Sequence, residues 1–254
     1  MKKITLPAIL LFCIALTSFA STTAKRYEVK SGIVHYKIEG GGNLMGITTK
    51  SSGTQELYFK EYGNKEIRIM KDNTVTMGHA DKTRTVTKIE NGTVYTVDEP
   101  NKQIIKQEIT TMKQMQKEGK NLSVMGKKML KQLGARQTGT EKILGYPCEI
   151  WEMPGVKMWM YKGVPLKVVS HFMGFKHQEI ATSAKFDVPV DERYFKLPDY
   201  PVVTLEEMIQ KQMMDDTAAA AKPSKTPTPP QPSAEEMKQM QKMLQNLGKM
   251  FNRQ

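Results

Sequence analysis

Val34-His35-Tyr36-Lys37-Ile38-Glu39, followed by Gly40-Gly41-Gly42-Asn43, is the stretch that decides the fold. Apolar and polar side chains alternate at period two, which is the pattern of a strand with one buried and one wet face. The glycine-asparagine cluster after it predicts a turn. Outward from this strand, Tyr27 to about Asp98 reads as antiparallel β-structure, with further turns predicted at Gly63-Asn64, Asp72-Asn73 and Asn91-Gly92. The last is the strongest, because both central residues of a type I′ hairpin need positive φ and Asn-Gly tolerates it. Strands near 84–90 and 93–98 are expected to pair across it.

After Pro100 the period changes. Ile109, Met112, Met115, Leu122, Met125, Met129 and Leu133 fall near helical spacing, interrupted by Gly119 and Gly126. That predicts one broken amphipathic helix or two short ones between about 107 and 133, closed by Gly134. From Gly139 to Phe186 strand signals return, with turns at Gly145-Tyr146-Pro147, Pro154-Gly155, Lys162-Gly163 and Met173-Gly174. Met158 and Met160 face one way and Trp159 and Tyr161 the other, so each side of these strands needs a cover. The interrupted helix is the expected lid, presenting Met112, Met115, Met125 and Met129.

The amino terminus reads as a secretory signal. Lys2 and Lys3 precede an apolar run from Ile4 to Leu16, and Ser18 and Ala20 suit cleavage after Ala20. The run is too short for a spanning helix, which needs about 20 apolar residues. The expected mature chain is therefore exported and periplasmic, without a transmembrane span. Loss of Lys2 and Lys3 takes the formal charge from +12 to +10. The lysines are dispersed, which argues against a nucleic-acid partner and for a basic surface among anionic envelope components. Cys148 is the one cysteine of the mature chain, so no internal disulfide staples it, and a buried inert thiol is expected.

The domain plan is residues 1–20 signal peptide, 21–203 main domain, 204–216 short helix, 217–233 Ala/Pro/Thr linker and 234–254 terminal helix. The linker has no periodicity and too little apolar surface to order itself. The terminal helix carries one stripe of Met237, Met240, Met243, Leu244, Leu247, Met250 and Phe251. A lone helix of that length is marginal in water, so it is expected to dock on an envelope partner, a membrane or the main domain.

Catalytic motifs are not found. The chain has no His-Glu-x-x-His, Gly-x-Ser-x-Gly, phosphate loop or Cys-x-x-Cys, and a non-enzyme with no cofactor is expected. Nineteen methionines invite a Cu(I) reading at Met112/Met115, Met158/Met160 with His171 and His177, and Met237/Met240/Met243. Every one of these positions also fits a core or groove stripe, where methionine fills irregular apolar surface. No metal site is assigned.

Gly139-Thr140-Glu141-Lys142-Ile143-Leu144-Gly145-Tyr146-Pro147-Cys148-Glu149-Ile150-Trp151, Gly163-Val164-Pro165-Leu166-Lys167-Val168 and Val190-Asp191-Glu192-Arg193-Tyr194-Phe195-Lys196-Leu197-Pro198 resemble exported domains of the outer-membrane lipoprotein carrier superfamily, in an uncharacterised branch. Val94-Tyr95-Thr96-Val97-Asp98 with Lys102 resembles the strand and turn before the carrier helix. The likeness covers roughly Tyr27 to Pro201. It implies an α+β fold: a curved antiparallel sheet, an unclosed barrel, with helices over its concave face. It also implies a cleft for an acyl chain, a lipidated partner or another apolar ligand. Candidates for its lining are Val34, Tyr36, Trp151, Met158, Trp159, Met160, Val168 and Phe172, drawn from both strand faces. The alternative is a structural or interaction module of the envelope with a self-filled core and the Met-rich helix as docking element; a Cu(I)-binding protein ranks below both.

Overall fold

The computed structural model describes residues 25–208, apart from residue 45 and residues 111–112, 115–117 and 119–121, together with Gln210. The expected signal segment, Met112 and Met115 of the expected helical lid, most of the 204–216 segment, the expected linker and the whole Met-rich stripe lie outside the described residues. The described residues up to Met208 belong to one compact unit.

The chain is mostly β. Six strands come first: β1 (Gly32–Leu44), β2 (Ile47–Lys60), β3 (Lys65–Thr76), β4 (His79–Glu90), β5 (Thr93–Asp98) and β6 (Gln103–Glu108). A helix, α1 (Leu122–Gln132), separates them from β7 (Arg136–Ile143), β8 (Tyr146–Met153), β9 (Val156–Tyr161), β10 (Val164–Phe172), β11 (Phe175–Phe186) and β12 (Val202–Thr204). All twelve strands belong to one sheet in the order β12-β6-β5-β4-β3-β2-β1-β11-β10-β9-β8-β7. The pairing is antiparallel except where β12 runs parallel to β6. β12 and β7 are free edges, so the sheet is curved but not closed.

Two-residue turns set the registers. Met77-Gly78, Asn91-Gly92, Leu144-Gly145, Lys162-Gly163 and Met173-Gly174 each place both residues at positive φ, the handedness that matches the twist of the flanking strands. Two predicted turns are strands instead. Asp72-Asn73 lies within β3, where the Asp72 carboxylate accepts from Ser51 Oγ at 2.8 Å and Thr74 Oγ1 at 2.8 Å. One of these bonds crosses to β2 and the other runs along β3, so neither closes a local turn. Gly40 to Asn43 lie within β1, and the absent side chain at Gly42 lets β1 approach β11: a Cβ there would stand 2.4 Å from the Gly174 carbonyl oxygen.

The curl of the sheet is read from side chains that meet across intervening strands. Phe186 of β11 contacts the ring of Tyr161 on β9 and that of Tyr146 on β8, each at 4.9 Å between centroids. A flat sheet at ~4.8 Å per strand would hold β8 and β11 about 14 Å apart. The face on which these rings converge is therefore the concave one. It buries Val34, Tyr36, Leu57, Phe59, Cys148, Trp159, Val164, Leu166 and Ala181 in one cluster.

Residues 25–30, which the alternation placed in the early β-region, form a strap rather than a strand. Tyr27 and Val29 enter the concave cluster. Arg26 and Tyr27 N–H both donate to the Tyr62 carbonyl at 3.0 Å, and Glu28 N–H donates to that of Lys162 at 2.9 Å. The strap is thus tied to the β2–β3 and β9–β10 turns and plugs that end of the trough. Helix α1 rests on it: Ser123 N–H donates to the Lys25 carbonyl at 2.9 Å, and Lys127 reaches Glu28 at 3.3 Å and Glu149 at 2.8 Å. On the opposite face a second cluster of Tyr58, Ile67, Val86, Val97 and Ile104 is covered by the segment after β11, through Phe195, Leu197 and Tyr200. Tyr194 stacks on Tyr58 at 4.0 Å.

Candidate functional site

Strand alternation builds the site. On β3, Ile67 and Ile69 face the second cluster, so Glu66, Arg68 and Met70 must face the concave side, opposite Phe59, Leu57 and Gln55 of β2. Two charges therefore enter an apolar trough, and both are paired. Glu66 is 1 % exposed. Its Oε2 accepts from Arg26 Nη1 at 3.0 Å and from the Tyr27 hydroxyl at 2.6 Å, and its Oε1 accepts from Arg68 Nε at 2.8 Å. Arg68 Nη2 donates to the Tyr27 hydroxyl at 3.2 Å.

Burial alone would raise the Glu66 pKa, but Arg68 and Arg26 outweigh it and hold the carboxyl below its ordinary value. Burial likewise opposes the charge on Arg68, yet Glu66 and Tyr27 keep its pKa well above the usual value. The Arg68 side chain remains 32 % exposed. It is a fixed cation that looks out from the buried cluster.

Further along the trough, Gln55 sits opposite both Tyr36 and Met70. Its amide donates to Glu179 Oε1 at 2.6 Å. Burial raises the Glu179 pKa, with Arg68 and then His177 partly offsetting it. Tyr36 donates its hydroxyl to the Pro165 carbonyl at 2.9 Å, across β11. Ile38 beyond it is 2 % exposed. The concave face thus presents apolar walls, one guanidinium and one carboxyl of weakened acidity. This is an arrangement for holding an amphiphile. The nearest candidate nucleophile is unsuited to reaction: Cys148 is fully buried, burial raises its thiol pKa, and its Sγ donates to the Tyr146 carbonyl at 3.4 Å.

Of the residues nominated from sequence, Val34, Tyr36 and Trp159 meet in the concave cluster. Trp151 is buried on the other side of β8 from Cys148, its indole N–H donating to Glu149 at 3.0 Å. Met158 pairs with both Val168 and Trp151, and Met158, Met160 and Val168 are half-buried. Phe172 stands at the β10–β11 hairpin tip, 74 % exposed. In α1, Met125 is half-buried and Met129 exposed. Glu66, Arg68, Gln55 and Glu179 were not nominated. A charged pair two apart on a strand between isoleucines was the available signal, and it reads equally as a wet face until the strap is placed. An open hollow of about 800 Å³ is lined by Tyr36 and Ile38 together with Lys37, Lys71, Asp72, Lys82 and Arg84. Among the described residues no helix is long and apolar enough to cross a membrane, and no cluster of three or more His, Cys, Asp or Glu side chains could hold a metal.

No family model and no curated protein matches the chain. Several solved structures are similar to parts of it at low identity. An uncharacterized conserved protein from Thermus thermophilus is similar over 67% of this chain and 90% of its own, at 10% identity and a TM-score of 0.37. LprF from Mycobacterium bovis is similar over 68% of this chain and 91% of its own, at 10% identity and 0.30. A putative outer membrane lipoprotein-sorting protein domain from Vibrio parahaemolyticus is similar over 67% and 92%, at 12% identity and 0.29.

Proposed function

We propose that the protein is an exported, periplasmic, non-catalytic binding protein that holds an acyl chain, a lipidated partner or another apolar ligand along its concave face. The observation that carries this reading is Arg68, a partly exposed cation paired with Glu66 and set among the apolar walls of a trough whose sheet is left unclosed. The ligand's chain would lie along Ile38, Met70 and Val169, and its polar end would meet Arg68. Tyr27 and Val29 already occupy the strap end, so the ligand would take the rest of the trough.

Protein purified from its native compartment should carry lipid detectable by mass spectrometry. After delipidation it should bind a fluorescent fatty acid saturably, and Arg68→Gln should weaken that binding about tenfold, the value of one charge-assisted hydrogen bond. A clean lipid spectrum together with no saturable binding would remove this reading.

The strap-filled end of the trough favours a second reading, a structural or interaction module of the envelope that uses its Met-rich terminal stripe for docking. Deleting Pro229 to Gln254 would then leave the domain folded and abolish a partner contact, and an unchanged set of co-purifying proteins would count against it.

A further inference from the structure

We propose that three adjacent hairpin tips at one end of the sheet insert into an anionic lipid surface. The β1–β2, β3–β4 and β10–β11 turns lie side by side. Thr49 of β2 faces Thr76 of β3, just before the Met77-Gly78 turn, and Gly42 of β1 faces Phe175, just after Met173-Gly174. Met77 N–H also donates to the Thr48 carbonyl at 3.4 Å. The strap plugs the other end, so this end points away from the packed core.

Each of the three tips carries large apolar side chains into solvent. Ile47 is 45 % exposed, Met77 73 %, Phe172 74 % and Met173 65 %. The usual residues of such turns are Asn, Asp and Gly, which take positive φ at little cost. Met77 and Met173 hold that conformation at φ 50 and 46, so the apolar side chain is kept where the backbone disfavours it. Isolated exposed apolar residues need no explanation, whereas a contiguous set marks an interaction surface.

Charge selects the partner. Residues 41–50, 75–80 and 170–178 contain no Asp or Glu, and they contain Lys50, Lys176, His79, His171 and His177; the first acid below the β3–β4 tip is Asp81, opposite Thr74. All five of these side chains are exposed. Apolar apices with Lys50 and Lys176 beside them are complementary to a bilayer whose acyl region takes the tips and whose anionic headgroups meet the lysines.

The test uses the full chain carrying Phe172→Trp. Trp151 and Trp159 are buried and supply a constant background. Vesicles containing phosphatidylglycerol should shift the new emission to the blue, and lipids brominated in the acyl chain should quench it. Vesicles of phosphatidylcholine alone should do neither. Lys50→Gln with Lys176→Gln should weaken binding to the anionic vesicles by roughly 30-fold, since each lysine near the surface contributes a factor of about five. Adding Ile47→Ser, Met77→Ser and Met173→Ser to the Trp reporter should abolish the shift while thermal stability stays unchanged.

Three results would overturn the proposal. The first is no shift with either vesicle. The second is a shift that survives the serine substitutions, which would assign membrane contact to another part of the chain. The third is self-association that the serine substitutions abolish without any vesicle response, which would assign the tips to a second copy.

Discussion

The hydroxyl of Tyr146 on β8 donates a hydrogen bond to the carbonyl of Ala184 on β11 at 3.2 Å, although β9 and β10 lie between them in the sheet. A side chain bridges strands at this remove only where the sheet curls over its own face, so this bond reports the curvature that makes the trough. Tyr146→Phe should cost about 1 kcal/mol, the net worth of one hydrogen bond. Tyr146→Ala also removes the ring contacts to Tyr161 and Phe186 and should cost about 3–5 kcal/mol. Denaturant unfolding measures both, and equal losses for the two variants would contradict the bridging role.

Glu66 couples the strap to the sheet. Replacing it with Ala leaves Arg26 and Arg68 facing each other without their shared carboxylate, and should cost about 3–5 kcal/mol. The pH dependence has a definite sign. The folded carboxyl titrates below its ordinary value of 4.5, so its contribution is complete above that value and is lost as pH falls through the lower folded value. Thermal unfolding of the parent should therefore steepen in its pH dependence below about 4.5, and Glu66→Gln should flatten that acid limb.

Glu179 has the opposite sign. Its folded pKa lies above the ordinary value because burial disfavours the charge, so its contribution is present in acid and lost as pH rises through the folded value. Glu179→Gln keeps an acceptor for the Gln55 amide. It should raise the melting temperature at neutral pH, with the gain disappearing in acid. Equal gains at both pH values would show that the carboxyl is not desolvated.

Gly42 is needed for contact, not for its φ. A methyl group there would meet the backbone of Gly174 at 2.4 Å and of Phe175 at 2.8 Å. Gly42→Ala should force β1 and β11 apart and cost about 1–3 kcal/mol, the range for overpacking. Hydrogen exchange at the β10–β11 hairpin should accelerate in that variant, and unaltered exchange would contradict the account.

Much of the strand plan was legible because it depends on neighbours in sequence. Alternation at Val34, Tyr36 and Ile38, and the tolerance of Asn91-Gly92 for positive φ, are local properties that no tertiary contact reverses here. Asp72-Asn73 and Gly40 to Asn43 misled because turn-forming residues also serve inside a sheet, the first by bonding to Ser51 across β2, the second by letting β11 close in. The parallel pairing of β12 with β6 joins segments about a hundred residues apart, and no local pattern announces it. The charged centre was illegible for the same reason: Arg26 lies 40 residues from Glu66, and only the strap's path over the trough brings them together. The site candidates therefore mixed both faces of the later strands, and the guanidinium that anchors the proposed ligand was not among them.

The most direct measurement is photocrosslinking with a fatty acid carrying a diazirine on its chain, in the absence of vesicles, followed by peptide mapping. The account predicts saturable labelling of peptides containing Ile38, Met70 and Val169, competed by unlabelled fatty acid and reduced by Arg68→Gln. Labelling confined to the hairpin tips or to residues 209–254, or labelling that never saturates, would contradict it.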